Sequence, residues 1–396
     1  MADRAVCAFV CALTFLFSCA QDAGRGAAGG GTAGGEAAAS SPSRQEGRAD
    51  PAQPFRVETV ASGLQVPWSI VFAPDGRMFF TERAGRVRVL EGGRLRPEPL
   101  YVVADVETRS ESGLMGLALH PDFARNRFLY LAYAYDQGGV KVRVVRFRET
   151  GAALADPKVI IEGIPGAQYH AGTRLRFGPD GRLYVTTGDA AERRLAPRLD
   201  SLAGKTLRLN DDGTVPPDNP FSGRAGARPE IYSLGHRNAQ GLDFQPGTGL
   251  MFQTEHGPSG FDGPGGGDEV NIVEAGKNYG WPEVSHDKSA PGMVDPLLVY
   301  TPAVAPASGQ FYRGAAFPQY RGNFFFGNLR GETLIRVVLD GRRVVSQERL
   351  LSRQYGRLRE VAEGPDGAIY FSTSNHDGRG RPAREDDRIL RLVPAK

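Results

Sequence analysis

The stretch FGPDGRLYVTTGD, residues 177–189, joins a Pro-Asp-Gly turn to an alternating apolar run. Near-copies stand elsewhere in the chain, FAPDGRMFFTE at 72–82 and EGPDGAIYFSTS at 363–374. Proline fixes one backbone dihedral and glycine accepts the left-handed conformation, so each copy is typical of a tight turn between two strands. The repeat predicts that the chain builds one β-hairpin several times.

Three further segments, at 120–136, 244–257 and 317–329, also place a proline-centred turn before an aromatic strand. The six turn prolines are Pro74, Pro121, Pro179, Pro246, Pro318 and Pro365. They lie about 47 to 72 residues apart, at or above the roughly 40 to 50 residues of a four-stranded propeller blade. The longer intervals predict loop insertions on the face that holds the functional site.

A small antiparallel sheet cannot bury both of its faces alone, but six such sheets packed around an axis cover one another. The sequence therefore predicts an all-β fold, a six-bladed β-propeller of four-stranded antiparallel sheets. The segment from Phe55 to Val60 is expected to complete the last blade beside the C-terminal RILRLVP. An irregular β-sandwich with unrelated turns is the alternative fold.

The composition fits a large packed domain with no nucleic-acid partner. Of the 396 residues, 40% are hydrophobic, and 21 Phe and 13 Tyr are ample for a core. The net charge is only +3, and no basic run of five or more residues occurs, so no nucleic acid is expected to bind.

The first residues are typical of an exported chain. Residues 1–19 contain one Arg, a short apolar run and all three cysteines, and we interpret them as a signal peptide of the lipoprotein type. Cys19 would then carry a lipid anchor, whereas an ordinary cleaved signal peptide is the alternative. Residues 20–54 are rich in Gly, Ala, Ser and Pro and predict a disordered, flexible tether, followed by the propeller at 55–396. We expect an exported, cell-surface or periplasmic protein tethered to a membrane.

Several polar residues stand apart from the blade pattern. His170, in YHAGTRL, directly precedes the first hairpin of its blade, and imidazole is well suited to accept a proton near neutral pH. An ordinary hydrogen-bonded loop histidine is the alternative. Arg237, Asn238 and Gln240 offer closely spaced hydrogen-bonding groups in GHRNAQG.

Two other groups suggest bound ions. The glycine-rich loop that ends in Asp268 and Glu269 has carbonyls suited to a hard cation such as Ca²⁺, although such loops are often simply solvated turns. Arg357 and Arg359 fall on one side of a strand, where they need an anion or an acidic partner between them. With Arg237 and Arg330 they would suit a polyanionic ligand, or they face solvent.

Taken together, these stretches resemble the soluble quinoprotein sugar dehydrogenases, the PQQ-dependent glucose and aldose dehydrogenases. The resemblance runs from about Phe55 to Val393 and includes HAGTRLRFGPDGRLYVTTGD, GHRNAQG, NYGWP and GRLREVAEGPDG. It implies a six-bladed propeller with PQQ and Ca²⁺ as cofactors. It also implies that an aldose is oxidised at C1 to the lactone, with hydride passing to C5 of PQQ. The electrons would then pass to an acceptor of unknown identity.

The resemblance assigns roles to residues of this chain. His170 matches the general base that removes the proton of the C1 hydroxyl. The backbone carbonyls of Gly257 and Pro258 match those that bind the activating Ca²⁺, and Glu269 and Tyr279 match a second, structural Ca²⁺ site. The positions that match residues at the cofactor are Glu111, Arg237, Asn238, Gln240, Arg330, Arg357 and Arg359.

Departures from the family pattern fall at the expected sugar, cofactor and cation sites. Tyr169 replaces an acidic residue, Glu111 replaces a neutral amide, and the insertion FDGPGGG at 261–267 lengthens the cation-binding loop. Because the chain is more similar to the broad aldose dehydrogenases than to the glucose-specific ones, we expect loose sugar specificity. Two other functions remain open from the sequence, a Ca²⁺-dependent lactonase on a six-bladed propeller and a non-catalytic sugar-binding propeller. A lactonase would not need the arginine cluster.

Overall fold

The computed structural model describes residues 54–395. The signal peptide, the lipid anchor at Cys19 and nearly all of the tether were predicted for residues 1–53, which lie outside the described residues. No helix in the described part of the chain is long and apolar enough to cross a membrane.

The described residues form six antiparallel sheets, and each sheet is one blade of a propeller. Strand β1 (Phe55–Ala61) begins the described chain and belongs to the sixth blade. The first blade consists of β2 (Pro67–Phe72), β3 (Met78–Glu82), β4 (Arg86–Glu91), β5 (Arg94–Leu95) and β6 (Tyr101–Val102). The second consists of β7 (Leu114–Leu119), β8 (Phe128–Asp136), β9 (Val140–Glu149) and β10 (Leu154–Pro165). The third consists of β11 (Leu175–Phe177), β12 (Leu183–Thr186), β13 (Lys205–Leu209) and β14 (Ile231–Leu234).

The remaining blades follow the same order. The fourth consists of β15 (Ala239–Phe244), β16 (Met251–Glu255), β17 (Asp268–Val273) and β18 (Leu298–Tyr300). The fifth consists of β19 (Pro306–Phe311), β20 (Phe324–Asn328), β21 (Thr333–Asp340) and β22 (Arg343–Leu350). The sixth consists of β23 (Leu358–Glu363), β24 (Ile369–Thr373), β25 (Ile389–Pro394) and β1. In the described residues, helical structure is limited to α1 (Phe123–Asn126) and two 3₁₀ turns, Arg193–Leu195 and Pro318–Tyr320.

The two ends of the described chain close the ring. Strand β1 pairs antiparallel with β25, and Phe55 lies opposite Pro394 while Ala61 lies opposite Ile389. The last blade is thus completed by the first strand, as the sequence predicted. Five blades have four strands, and the first has a short fifth strand, β6, which pairs with β4.

The Pro-Asp-Gly repeat forms the turn between the first and second strands of a blade. At the copy in the third blade, Gly178 N donates to Arg182 O at 2.8 Å, and Gly181 has a φ of 73°. The side chain of Asp180 accepts a hydrogen bond from Arg182 N at 3.1 Å. Glycine is needed here because a side chain would strain the left-handed residue that ends this kind of hairpin turn.

The core is divided among the blade interfaces. Six clusters of buried apolar side chains occur in the described residues, and each joins neighbouring blades. Between the fourth and fifth blades, for example, Phe252 and Phe311 pack edge to face with their ring centroids 4.9 Å apart. Burial between blades of this kind stabilises each sheet only when its neighbours are present. The six-bladed propeller is confirmed, and the alternative of a β-sandwich is wrong.

Candidate active site

A cavity of about 540 Å³ opens on the propeller face where the first strands begin and the second strands end. Loops from all six blades contribute to its wall, among them the segments before β11 and β23 and the connection from β16 to β17. The first strands contact one another around the propeller axis, so residues distant in sequence converge on this cavity.

His170 lies in the cavity wall with its backbone in the left-handed region, at a φ of 56°. Its backbone N–H donates to Oε2 of Glu111 at 3.1 Å. On the other side, Gly188 comes so close that a Cβ atom there would overlap the carbonyl oxygen of His170. A left-handed non-glycine residue costs free energy and persists only where its surroundings enforce it, and here both contacts do so.

The imidazole ring of His170 is oriented by Asp189. Nδ1 of His170 lies 2.7 Å from Oδ1 of Asp189, whose Oδ2 accepts a hydrogen bond from Trp281 Nε1 at 2.8 Å. Because an ionised carboxylate can only accept, the proton of the neutral ring resides on Nδ1, and Nε2 is left as an acceptor. Asp189 is the last residue of the hairpin repeat FGPDGRLYVTTGD, and no role was predicted for it from the sequence. Its position just after β12, at the same end of the hairpin as His170, is the feature from which this contact could have been predicted.

Arg357 and Arg359 both line the cavity, and an acidic partner lies between them. Oδ2 of Asp377 lies 2.8 Å from Nη2 of Arg357 and 3.6 Å from Nη2 of Arg359. Burial opposes ionisation of Asp377, but the two arginines outweigh it and lower the pKa of this carboxyl group. One carboxylate is thus shared by two guanidinium groups. Burial also lowers the pKa of Arg359 to about 10, so its cation is incompletely compensated.

The cavity as a whole has an excess of positive charge. Its wall contains six arginines and three acidic residues, which are Arg83, Arg237, Arg330, Arg357, Arg359, Arg379, Glu111, Asp268 and Asp377. Asp268 is already occupied by backbone amides, since it accepts from Gly257 N at 2.8 Å and from Val304 N at 2.6 Å. Burial lowers the pKa of Arg83. Such a set of donors suits a ligand with several carboxylates.

Glu111 and Tyr169, the two departures noted in the sequence, are joined by Arg379. Nη1 of Arg379 lies 2.5 Å from Oε1 of Glu111, and its guanidinium carbon lies 5.6 Å from the centre of the Tyr169 ring. Burial alone would raise the pKa of Glu111, but Arg379 and its other neighbours outweigh burial and lower it to about 2. Glu111 is therefore an anion that holds the backbone of His170.

The three polar residues of GHRNAQG converge near the histidine loop. Arg237 is buried; its Nε lies 2.7 Å from Oδ2 of Asp262, and its Nη2 donates to Ser259 Oγ at 3.0 Å. The amide oxygen of Asn238 accepts from Gln240 Nε2 at 3.0 Å. Arg237 and Gln240 line the cavity directly, whereas Asn238 does not line it and accepts a hydrogen bond from Gly172 N at 3.3 Å.

The connection from β16 to β17 brings candidate cation ligands to the cavity. Gly257 and Pro258 line its wall, and a Cβ atom at Gly257 would overlap the carbonyl oxygens of Gly266 and Gly267. Beside them, Nε2 of His256 is buried without a hydrogen-bond partner in the described structure. Burial lowers the pKa of His256 to about 4, so its ring is neutral at physiological pH.

Glu269 and Tyr279 do not line the main cavity but a small adjoining one, together with Glu255, Gly257 and Pro258. Glu255 and Glu269 lie opposite each other on β16 and β17. Burial, and then the charge of Glu255, raises the pKa of Glu269 to about 8. Within residues 54–395, no group of three or more His, Cys, Asp or Glu side chains is arranged to hold a metal ion.

The chain matches known proteins over most of its length. A family model described as glucose/sorbosone dehydrogenase matches residues 64–390. The aldose sugar dehydrogenase YliI of Escherichia coli K12 is 34% identical over 342 residues, which cover 81% of this chain and 91% of the relative.

Solved structures agree with these sequence matches. A crystal structure from Thermus thermophilus, described as an oxidoreductase (glucose dehydrogenase), is 48% identical with a TM-score of 0.80, covering 86% of this chain and all of that one. The PQQ-bound form of aldose sugar dehydrogenase from Streptomyces coelicolor is 33% identical with a TM-score of 0.75, covering 86% of this chain and 98% of that one. The resemblance drawn from the sequence is confirmed. The chain belongs to the glucose/sorbosone dehydrogenase family, the soluble quinoprotein sugar dehydrogenases, and is an oxidoreductase that acts on sugars.

Proposed function

We propose that the chain oxidises the C1 hydroxyl of aldoses to the lactone, with PQQ and Ca²⁺ as cofactors and His170 as general base. The observation that carries this proposal is the pairing of His170 with Asp189 beside the arginine-rich wall of one cavity. The PQQ-bound relative supports the choice of cofactor.

The residues of the cavity fit PQQ in two respects. PQQ has three carboxylates, and arginines outnumber acidic residues in the wall by six to three. The unpartnered Nε2 of His256 is a further polar group that a bound cofactor would satisfy. Arg357, Arg359, Arg330 and Arg237 would hold the carboxylates, together with Gln240 and its hydrogen-bond partner Asn238.

The carbonyl oxygens near Gly257 are suitable ligands for a hard cation. Carbonyl oxygens are ligands that Ca²⁺ accepts, and those of Gly257 and Pro258 belong to a loop that Asp268 fixes through Gly257 N. Glu269 and the Tyr279 segment would form a second Ca²⁺ site, where a cation would relieve the crowding of Glu255 and Glu269. When bound, PQQ takes up the two electrons and the hydrogen released from C1, while Ca²⁺ acts on it as a Lewis acid.

The protein's own contribution is to hold the sugar and move one proton. Nε2 of His170 accepts the proton of the C1 hydroxyl, and Asp189 stabilises the imidazolium that forms through the hydrogen bond to Nδ1. Glu111 keeps the histidine backbone in place while the ring changes charge. Tyr169 and Arg379 line the same cavity as His170 and would contact the sugar.

We further propose, from the sequence alone, that residues 1–19 direct export, that Cys19 carries a lipid and that residues 20–54 link the propeller to this anchor. Mass spectrometry of the purified N-terminus would test it, since an acylated Cys19 is expected and an unmodified cleaved N-terminus would contradict the anchor.

The experiment that tests the function is reconstitution of the purified protein with PQQ and Ca²⁺, followed by dye reduction with a panel of aldoses. Activity that requires both additions is expected. If PQQ does not bind, the cofactor assignment fails, and the lactonase or the sugar-binding propeller becomes the better interpretation.

A further inference from the structure

A buried ion pair lies among the first strands of the blades, around the propeller axis. Its members are Arg174, which immediately precedes β11, and Glu360 of β23. Nη1 of Arg174 lies 2.6 Å from Oε2 of Glu360, and each side chain is only 3% exposed. They belong to the motifs HAGTRL and GRLREVAEGPDG, and neither lines the main cavity. Because taking two charges out of water costs free energy, stability alone does not explain such a pair.

The pair connects the first strands of most blades. Nη1 of Arg174 donates to Ser69 Oγ of the first blade at 3.0 Å, and its Nε donates to Gln240 O of the fourth at 3.0 Å. Oε1 of Glu360 accepts a hydrogen bond from Ser308 Oγ of the fifth blade at 2.6 Å. Since Arg174 begins the third blade and Glu360 belongs to the sixth, one guanidinium and one carboxylate join five of the six blades.

The contacts of the pair lead to three residues of the cavity wall. Gln240 is bonded directly, Trp68 precedes the serine that binds Arg174, and Arg359 precedes Glu360; all three wall residues line the cavity. The guanidinium carbon of Arg174 lies 4.5 Å from the centre of the Trp68 ring, and that of Arg359 lies 5.7 Å from the centre of the same ring. An arginine cation is attracted to the face of an indole, so Trp68 links the buried arginine to the one in the wall.

We propose that Arg174 and Glu360 are positioning residues, which hold Trp68, Gln240 and Arg359 in the geometry that binds the cofactor. This inference rests on the proposed function, which puts carboxylates of PQQ at this wall. A binding site keeps its geometry only where the residues behind the wall fix those in it through packing and hydrogen bonds. The pair has no net charge, so it acts through the position of its neighbours and adds no charge to the cavity.

The first test changes the geometry of the pair and keeps its charge. In Arg174→Lys, a single ammonium lacks the planar set of donors that bonds Gln240 and Glu360 together, so PQQ affinity should fall about 10-fold in an absorbance titration. The KM for an aldose at saturating PQQ should not change. The matched control is Arg77→Lys, because Arg77 is a buried arginine that bonds both oxygens of Glu149 at 3.0 Å and does not line the cavity.

The control should lose thermal stability but keep its affinity for PQQ. Equal PQQ affinities in Arg174→Lys and Arg77→Lys would overturn the inference. A second variant, Arg174→Met combined with Glu360→Met, leaves no buried charge unpaired, and apolar replacements of this kind often preserve stability. Its PQQ affinity should still be about 10-fold below that of the wild type. Wild-type affinity in this variant would mean that the pair serves folding alone.

Hydrogen exchange followed by mass spectrometry gives a readout that needs no cofactor. In the cofactor-free protein, Arg174→Lys should speed exchange in the peptides that contain Gln240 and Arg359, whereas Arg77→Lys should not. If the wild type binds no PQQ, the proposed function fails, and this measurement still decides whether the pair holds the cavity wall. Equal exchange in wild type and Arg174→Lys would then overturn the inference.

Discussion

Nδ1 of His170 lies 2.7 Å from Oδ1 of Asp189, and the two residues flank the hairpin formed by β11 and β12. The Pro-Asp-Gly turn closes this hairpin at its far end, so the same repeat that builds a blade also brings the base and its carboxylate together. Trp281 then fixes the second oxygen of Asp189. The geometry leaves Nε2 of His170 as the group available to a substrate.

Replacing His170 by Ala should remove the base without disturbing the arginines. We expect kcat to fall roughly 10²- to 10⁴-fold, the usual contribution of general acid–base catalysis. PQQ binding, followed by absorbance titration, should remain within about 2-fold because the guanidinium groups are intact. Substantial residual turnover would exclude the role of general base.

Asp189→Asn should keep the shape of the site but lose the negative charge beside Nδ1. The imidazolium formed during turnover would then be less stable, so we expect kcat to fall about 10²-fold or more while KM changes little. A matched control is Asp200→Asn, since Asp200 is an exposed carboxylate paired with Arg198 at 2.5 Å. If both variants behave alike in steady-state kinetics, Asp189 does not act through His170.

Arg357→Ala combined with Arg359→Ala should weaken PQQ binding. A hydrogen bond to a charged group contributes about 1.5 to 3 kcal/mol, so loss of two guanidiniums should lower affinity by at least about 100-fold. Arg349 is exposed on β22 and does not line the main cavity, so Arg349→Ala serves as the control. Unchanged PQQ affinity in the double variant would mean that the cofactor binds elsewhere.

Arg379→Gln should make the site sensitive to mild acid. The pKa of Glu111 is lowered from 4.5 to about 2 in the folded protein, so its pairing stabilises the fold above pH 4.5 and is lost as the pH falls through about 2. Without Arg379, burial raises the pKa of Glu111, and its hold on His170 N should fail at higher pH. The acid limb of kcat/KM should shift upward, and Arg379→Lys should restore part of the wild-type profile. Superimposable profiles would contradict this account.

Removal of Ca²⁺ should make the stability of the folded protein depend on whether the buried Glu269 is protonated. In the cation-free protein, the pKa of Glu269 is raised from 4.5 to about 8, so its contribution is fully present below pH 4.5 and is lost as the pH rises through about 8. We expect the melting temperature of the cation-free protein to decrease over this range and Glu269→Gln to flatten the decrease. Added Ca²⁺ should raise the wild-type melting temperature most at high pH. If added Ca²⁺ raised the melting temperature of the wild type and of Glu269→Gln equally, a cation site at Glu269 would be contradicted.

The fold could be predicted from the sequence because its information is local and repeated. Each proline-centred turn indicates one hairpin, and six such turns indicate six blades. The sequence also singled out His170, Arg357 and Arg359, which all line the main cavity, because each stands close to a repeat. The pairing of β1 with β25 was predictable because a closed ring needs a partner for the last sheet.

The partners of these residues were not predictable in the same way. Asp377 joins Arg357 and Arg359 from the loop before β25, and Arg379 reaches Glu111, 268 residues away in sequence. Such contacts depend on which loops the propeller brings to one face, and the spacing of residues along the chain does not show this. The insertion at 261–267 contacts His170 and Arg237, and these contacts likewise depend on how two blades are arranged.

The pairing of β1 with β25 also bears on how the molecule is made. Phe55 lies opposite Pro394, so β1 has no partner strand until residues 389–394 have been synthesised. The nascent chain must therefore keep its first strand available while five blades assemble, and the backbone edge of β1 stays unpaired during that time. Once closed, the ring joins both ends of the domain in one sheet, so a protease that cuts any single interblade loop would leave the pieces held together.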